Sequence, residues 1–364
     1  YEDLVKMFLM NSEAFFTQDN DVELYFSGQD KFDALLDSIK RAENYIHIQY
    51  YIFKSDGIGT KILDALTEKA KEGVEVKLLE AGGEVAIFFP AISPFLSIRI
   101  NYRNHRKICI FDGKEAYVGG LNVGDEYLGK SKKFGYWQDT HIKVKGSAVS
   151  SLQWRFHLDW RFATKQKLDI CQSFLIDAES SSNVGMQIVT SGPDSRWPNI
   201  KDGYLKMITN ARDKVYIMTP YFIPDDSILE ALRVAGLSGV DVRVMIPNKP
   251  DHIFVYWASL SYIGELLPAG VKFYTYEKGF LHSKVIVSDD FISSVGTANL
   301  DIRSFQLNFE VNAFMYDESI NLKLTERFIN DLSDCKEITE EIYYNRLKFV
   351  KLKESISRLL SPIL

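Results

Sequence analysis

One short pattern occurs twice at a fixed separation. His105-Arg106-Lys107 is followed by Asp112, Val118-Gly119 and Asn122, and His282-Ser283-Lys284 by Asp289, Val295-Gly296 and Asn299, every pair 177 positions apart. Upstream, Ile62-Leu63-Asp64-Ala65-Leu66 matches Ile228-Leu229-Glu230-Ala231-Leu232, and Gly73-Val74-Glu75-Val76-Lys77 matches Gly239-Val240-Asp241-Val242-Arg243, both at an offset of 166. A chain built this way folds as two related units, and self-similarity of this kind governs the architecture before any single residue does. Each half reads as a strand (residues 45–52 and 215–219), an amphipathic helix, a second strand (74–79 and 240–246) and two further strands that carry the repeated pattern. Alternating strands and helices predict an α/β fold. We expect two pseudo-symmetric α/β/α domains with mixed, largely parallel sheets, residues 1–178 and 179–364, divided in the polar run Glu179-Ser180-Ser181-Ser182-Asn183.

The two offsets differ by eleven, so the first half is shorter between its second strand and its motif. In the second half, residues 247–268 supply a helix between strands 240–246 and 271–276. In the first, Glu80-Ala81-Gly82-Gly83 runs straight into an apolar stretch. A parallel crossover needs about a dozen residues, so the link is either a local hairpin or lacks a segment near Glu80–Gly83; repeat symmetry, which predicts a helix there, favours the missing segment.

His and Lys two apart on a strand share a face, which puts Lys107 beside His105 and Lys284 beside His282. Imidazole serves as a nucleophile or a general acid near neutral pH, and an ammonium neutralises a phosphoryl oxygen. Two such sets about a pseudo-twofold axis would form one pocket at the domain interface, in which one histidine attacks phosphorus while the other protonates the leaving oxygen. Asn122 and Asn299, after glycine turns, would donate to the same oxygens. Asp112 and Asp289 stand at an odd offset from the histidines, so they face the other way or end the strand, and are either catalytic members of the motif or scaffold. Beside one of six histidines, an accidental H-x-K-x4-D is roughly a 2% event; two copies in register are far rarer. His47, His157 and His252 lack any such pattern and read as packed or surface residues, and Tyr50-Tyr51 and Tyr221-Phe222 read as core. His141 is left open.

Composition narrows the chemistry. Charges sum to −6, with 43 Lys+Arg against 49 Asp+Glu, a poor surface for non-specific nucleic-acid binding. The three cysteines, Cys109, Cys171 and Cys335, are far apart and form neither a zinc pattern nor a disulfide framework, which fits a reducing compartment. No metal or cofactor is expected, because the lysines already supply positive charge. No apolar run reaches the length of a membrane span.

The duplicated H-x-K-x4-D resembles the phospholipase D superfamily. Several neighbouring words are closer to one branch: Asn101-Tyr102-Arg103-Asn104, Gly119-Gly120-Leu121-Asn122-Val123-Gly124-Asp125, Thr219-Pro220-Tyr221-Phe222-Ile223-Pro224, Ile246-Pro247-Asn248-Lys249-Pro250-Asp251 and Gly296-Thr297-Ala298-Asn299-Leu300-Asp301. Over nearly the whole chain they look like the bacterial cardiolipin synthases. The resemblance implies transfer of a phosphatidyl group from one phosphatidylglycerol to another, giving cardiolipin and glycerol through a phosphatidyl-histidine. It implies His105 as nucleophile and His282 as acid/base, with Asp139 and Glu310 as supporting carboxylates. It also implies work at a membrane surface on the cytoplasmic face, anchored by N-terminal transmembrane helices absent from this chain. Phospholipase D-type hydrolysis, or transfer to another alcohol, uses the same motif. A nuclease is disfavoured by charge, and a dead membrane-binding module by the completeness of both motifs. Within residues 85–98, an apolar stretch interrupted by two prolines and followed by arginines, the part up to Phe89 reads as a buried strand equivalent to 271–276, and the part from Pro90 to Ile98 as either a core loop or a membrane contact.

Overall fold

The computed structural model describes residues 1–80, 102–166, 180–359 and 361. The link that follows Glu80 and the apolar stretch 85–98 therefore lie outside the described residues. The first half contains α1 (Glu2–Ser12), β1 (Asn20–Tyr25), α2 (Gly28–Arg41), β2 (Tyr45–Tyr50), α3 (Gly57–Lys71), β3 (Glu75–Glu80), β4 (Arg103–Asn104), β5 (Ile108–Phe111), β6 (Glu115–Gly119), β7 (Tyr136–Gln138), β8 (His141–Gly146) and α4 (Ala148–Thr164). The second begins with β9 (Gly185–Ser191), α5 (Asn199–Asn210), β10 (Lys214–Met218), β11 (Phe222–Ile223), α6 (Asp226–Leu237), β12 (Asp241–Pro247), α7 (Ile253–Leu266) and β13 (Lys272–Tyr276). It continues with β14 (Gly279–Leu281), β15 (Val285–Ser288), β16 (Ile292–Gly296), β17 (Leu300–Asp301), α8 (Ile302–Gln306), β18 (Asn308–Tyr316), α9 (Glu318–Asp331), β19 (Cys335–Ile338), α10 (Glu340–Tyr344) and α11 (Lys348–Leu359).

The expected α/β fold with two mixed sheets is present, but the sheets are not largely parallel. The first runs β1-β8-β6-β5-β2-β3, and only β2–β3 is parallel in it. The second runs β19-β13-β12-β10-β15-β16-β18-β4, with β9 also on β18; β10–β12, β12–β13 and the short β18–β4 contact are parallel. The reason is the connection. Strands joined through a crossover helix (β2-α3-β3, β10-α6-β12, β12-α7-β13) lie parallel, whereas β5–β6 and β15–β16 are joined by tight turns that must reverse the chain. The helix expected within 247–268 is α7.

Those two turns explain the aspartates. Asp112 and Asp289 directly follow β5 and β15 in the left-handed conformation, with φ of 52° and 49°. Asp112 accepts from the backbone amides of Glu43, Asn44 and Tyr45 at 2.7–2.8 Å. Asp289 accepts from those of Arg212, Asp213 and Lys214 at 2.9–3.2 Å. Each carboxylate fastens the turn to the start of the neighbouring strand, at the opposite end of β5 or β15 from the histidine. Asp112 and Asp289 are scaffold, a correction to the catalytic alternative.

Both faces of the motif strands are buried. On β5, Ile108 and Ile110 join a core shared by the two halves, while Cys109 and Phe111 face a core beneath α2 and α3. On β15, Val285 and Val287 enter the shared core and Ile286 the core under α5–α7. The shared core also takes Leu152 and Phe156 of α4 and Leu324 and Phe328 of α9. Helix α1, at the start of the chain, packs its Leu4 and Phe8 into the second-half core with Val189, Ile200 and Tyr204.

Candidate active site

The two halves pair short strands immediately before each histidine. β4 pairs with the start of β18, and β14 pairs with β7, both parallel. Two backbone bonds finish the pairing: the His105 amide donates to Phe309 O at 2.9 Å, and the His282 amide to Gln138 O at 2.7 Å. In each case the accepting residue immediately precedes a carboxylate, Glu310 or Asp139. The ring of His105 meets Glu310 through Nδ1, 3.0 Å from both carboxylate oxygens, with Thr297 O at 3.1 Å. The ring of His282 meets Asp139 Oδ2 through Nδ1 at 2.7 Å. The support is crossed: each half supplies the carboxylate for the other half's histidine. With Nδ1 donating to a carboxylate, Nε2 carries the lone pair and is left for chemistry.

The carboxylates are themselves fixed. Asp139 Oδ1 accepts from the Thr140 amide at 2.8 Å, and a Cβ on Gly120 would come within 2.1 Å of that oxygen, so only glycine leaves room for it. Glu310 lies on β18 beside the buried Arg106. The Arg106 guanidinium donates to Glu310 O at 3.1 Å and to Asp159 of α4 at 2.8 and 3.0 Å. Asp159 also accepts from Gln49 at 2.8 Å. The middle residue of the first motif thus points away from the lysine side and ties the first half to the Glu310 strand. Sequence analysis missed Arg106 and Asp159; Arg106 was signalled by strand alternation between His105 and Lys107, but nothing near Asp159 marks it as a partner. In the second motif the middle residue, Ser283, bonds Thr140 Oγ1 at 2.9 Å and Gln138 Oε1 at 2.6 Å. Tyr51, read as core, stands edge-on to His105 at 5.0 Å between ring centroids and 5.4 Å from Lys107 Nζ, so it belongs to the pocket.

Lys107 and Lys284 are buried and donate to the carbonyls of His105 and His282 at 2.6 and 2.5 Å. An ammonium has three donors, so further N–H groups remain beyond that one bond. Burial pushes Lys107 well below the ordinary lysine range and Lys284 down to about 8, the carboxylates of Glu310 and Asp139 opposing it. Burial also pushes His282 down to about 4, Lys284 adding to the fall and Asp139 resisting it. His105 is lowered for the same reason, with Glu310 opposing. Burial raises the Glu310 carboxyl, but His105 and Lys107 outweigh it and hold it below the usual range. The site thus gathers two lysines, two acidic side chains and two histidines, and burial disfavours the positive charge of the lysines and histidines. A phosphodiester monoanion entering it favours that positive charge.

Asn122 and Asn299 are buried. Asn122 accepts from the Ile52 amide at 3.2 Å and donates to Tyr127 OH at 3.3 Å; Asn299 donates to Asp301 Oδ2 at 3.2 Å. Each amide nitrogen keeps a second N–H beyond these bonds. His47 stacks on Phe156 and bonds Glu75 and Gln153, and His157 bonds Gln153, so both are packing residues. His141, left open from sequence, is buried under the site, where burial drives it well below the ordinary imidazole range. Among the described residues no group of three or more His, Cys, Asp or Glu side chains has the arrangement of a metal site.

Comparison with known proteins agrees with the geometry. The family described as "Cardiolipin synthase, PLD-like domain" matches residues 35–134 and 204–332. The major cardiolipin synthase ClsA of Bacillus subtilis (strain 168) is 54% identical over 382 residues, covering 100% of this chain and 79% of that protein. The cardiolipin synthase of Staphylococcus aureus (strain Mu50) is 51% identical over 383 residues, covering 100% of this chain and 78% of that protein. Among solved structures, the phosphatidylserine synthase of Haemophilus influenzae Rd KW20 shares the fold at a TM-score of 0.72 and 15% identity, covering 100% of this chain and 99% of that one.

Proposed function

The chain belongs to the cardiolipin synthase family of phospholipase D-like proteins and acts as a phosphatidyltransferase; from that premise we propose how its residues divide the reaction. The two halves, 1–178 and 179–364, act as paired domains around one site, and their joint substrate is phosphatidylglycerol. His105 Nε2 attacks the phosphorus of one molecule. The P–O bond to the terminal glycerol breaks, and His282, protonated on Nε2, gives its proton to the departing oxygen. Glycerol leaves and the phosphatidyl group is held on His105. The terminal hydroxyl of a second phosphatidylglycerol then gives its proton to His282 as its oxygen attacks phosphorus, the P–N bond breaks, and cardiolipin leaves. Atoms and protons return to the starting state, so no cofactor is consumed. Lys107 and Lys284 hold the non-bridging oxygens, with Asn122 and Asn299 adding amide donors. Glu310 fixes the tautomer of His105, and Asp139 stabilises the imidazolium of His282.

The observation that carries this reading is the crossed carboxylate–histidine pairing between two buried ammoniums, which leaves two oppositely assigned Nε2 atoms in one anion site. The order of the histidines follows the superfamily resemblance. The protein works at a membrane surface, because both substrate and product are bilayer lipids; we assign it to the cytoplasmic face, which the unbridged Cys109 and Cys335 support. No helix among the described residues is long and apolar enough to cross a membrane. Incubation with phosphatidylglycerol alone tests the reading. Cardiolipin and glycerol should appear in equal amounts, and trapping from a phosphatidyl p-nitrophenyl ester, whose leaving group needs no proton, without an acid quench should leave an acid-labile, base-stable phosphatidyl label in His282→Ala and none in His105→Ala. Phosphatidic acid as main product would replace the transferase with a hydrolase. Label on His282 in His105→Ala would reverse the roles.

A further inference from the structure

Helix α11 carries an apolar stripe that nothing in the described chain covers. Phe349, Leu352 and Ile356 are 65%, 54% and 49% exposed, and with Leu359 they recur at spacings of three and four, one face of the helix. The opposite face is fixed to the body. Glu354 and Ser357 are buried, Arg346 bonds Glu354 at 2.8 Å, and Arg358 pairs with Glu265 of α7. The stripe is edged by exposed Lys348 and Lys353, with Lys351 on the same helix. Lys353 Nζ lies 5.4 Å from the Trp257 ring on α7. One turn before Trp257, Ile253 and Phe254 are 63% and 57% exposed.

Helix α7 leads back to the active site. It begins two residues after Asp251, which accepts the Tyr221 hydroxyl, and its Ser259 Oγ accepts from the Phe222 amide at 3.1 Å. The charge of Asp251 is felt by Lys284. Helix α7 therefore links the helix that bears the stripe to residues beside Lys284.

We propose that the outward face of α11, together with Ile253 and Phe254, lies in the interface of an anionic phospholipid bilayer and seats the pocket at headgroup depth. The inference rests on the transferase reading and identifies the face through which its lipid substrate is reached. The occupant is identified by chemistry. An amphipathic helix with apolar residues on one side and lysines along its borders lays the apolar side about 5–10 Å into the acyl boundary, while the lysines meet anionic headgroups. A protein partner would not require cations on both edges of the stripe, and a second copy of this chain would bring its own lysines against them.

Co-sedimentation of the whole chain with phosphatidylcholine vesicles, with and without phosphatidylglycerol, provides the test. Binding should require phosphatidylglycerol and weaken with salt. Phe349→Ser with Leu352→Ser should lower partition by about tenfold or more, and Lys348→Glu should weaken binding to phosphatidylglycerol vesicles. Both variants should keep wild-type turnover on short-chain, dispersed phosphatidylglycerol. Phe349→Trp, which preserves the apolar face, should show a blue shift in emission, beyond any seen in the wild type, when phosphatidylglycerol vesicles are added. Unchanged vesicle binding by the double variant, or no added shift in the Phe349→Trp variant, overturns the proposal. So does loss of the fold together with activity on the dispersed substrate, which would make the face core, or a wild-type dimer that the double variant dissolves, which would make it a contact between copies. If the wild type makes no cardiolipin even from dispersed substrate, it is the transferase reading that fails.

Discussion

Replacing Asp139 with asparagine keeps every heavy-atom position and separates the two histidines' roles. In the native site Oδ1 accepts from the Thr140 amide at 2.8 Å and Oδ2 faces His282 Nδ1 at 2.7 Å. Asparagine must keep its oxygen on the Thr140 side, since the reverse orientation sets an NH2 against a backbone N–H. Its nitrogen then points at His282 and donates to Nδ1. A neutral His282 would be forced into the tautomer with hydrogen on Nε2, useless as a base, and the imidazolium would meet a donor where a carboxylate stood. His282 already titrates near 4 because of burial, with Asp139 among the groups holding it up, so losing that charge lowers it further. A tautomer-fixing carboxylate of this kind is worth roughly 10²- to 10⁴-fold in turnover.

The leaving group decides whether this argument is right. A phosphatidyl ester of p-nitrophenol departs without protonation, so its first step needs only the nucleophile. Asp139→Asn should still give a burst of p-nitrophenol at near wild-type rate while losing roughly 10²-fold or more in glycerol release from phosphatidylglycerol. Glu310→Gln, which disables His105, should lose both. Rapid-quench measurement of the burst, beside glycerol release by coupled assay, gives the two numbers. If Asp139→Asn abolishes the burst and Glu310→Gln spares it, His282 is the nucleophile. If both variants lose the two reactions equally, the division of labour itself is wrong.

Lys107→Ala and Lys284→Ala should each lower kcat by roughly 10²-fold through loss of preorganised charge; full activity in either, by lipid product analysis, would remove that lysine from the anion site. Gly120→Ala should cut turnover with little change in thermal stability if Asp139 simply shifts, because the added methyl occupies the space of Asp139 Oδ1; a wild-type rate would show the carboxylate tolerates displacement. With His282 at about 4 in the folded state against an ordinary value of 6.5, the unfolded chain binds more protons between those pH values. Stability is thus retained above about pH 6.5 and lost as pH falls toward 4, His282 alone accounting for about 3 kcal/mol; His105 and His141 shift in the same direction. Urea midpoints at pH 7 and pH 5 should differ accordingly, and less so in His282→Gln.

What the sequence revealed was what a strand makes local. The duplicated spacing fixed His105 beside Lys107 and His282 beside Lys284, and the odd offset of the aspartates left open the strand-end position they occupy. Helix α7 was legible because two strands in parallel need a crossover. The direction of the strands was misread, because alternation of helices and strands says nothing about the later pairs, whose turns are too short for anything but antiparallel pairing. Arg106 and Asp159 were missed because their bond joins a motif strand to α4 across 53 residues, and neither spacing nor periodicity encodes such a contact. Tyr51 was missed for a related reason: an aromatic on a buried strand looks the same whether it faces a core or a pocket.

The crossing of the carboxylates has a consequence that the repeat alone would not suggest. A duplicated unit that supported its own histidine would form two complete half-sites, and docking would only bring them close. Here the residue that accepts each histidine's amide and the carboxylate that orients its ring are consecutive, Phe309-Glu310 and Gln138-Asp139, and both come from the other half. Neither imidazole has its tautomer set until β4 has joined β18 and β14 has joined β7. Docking of the halves and orientation of the two imidazoles are therefore one event. The same pairing buries Lys107 and Lys284 at its centre, so the charge needed to hold a phosphodiester is concentrated only in the fully assembled site, where water no longer competes for it.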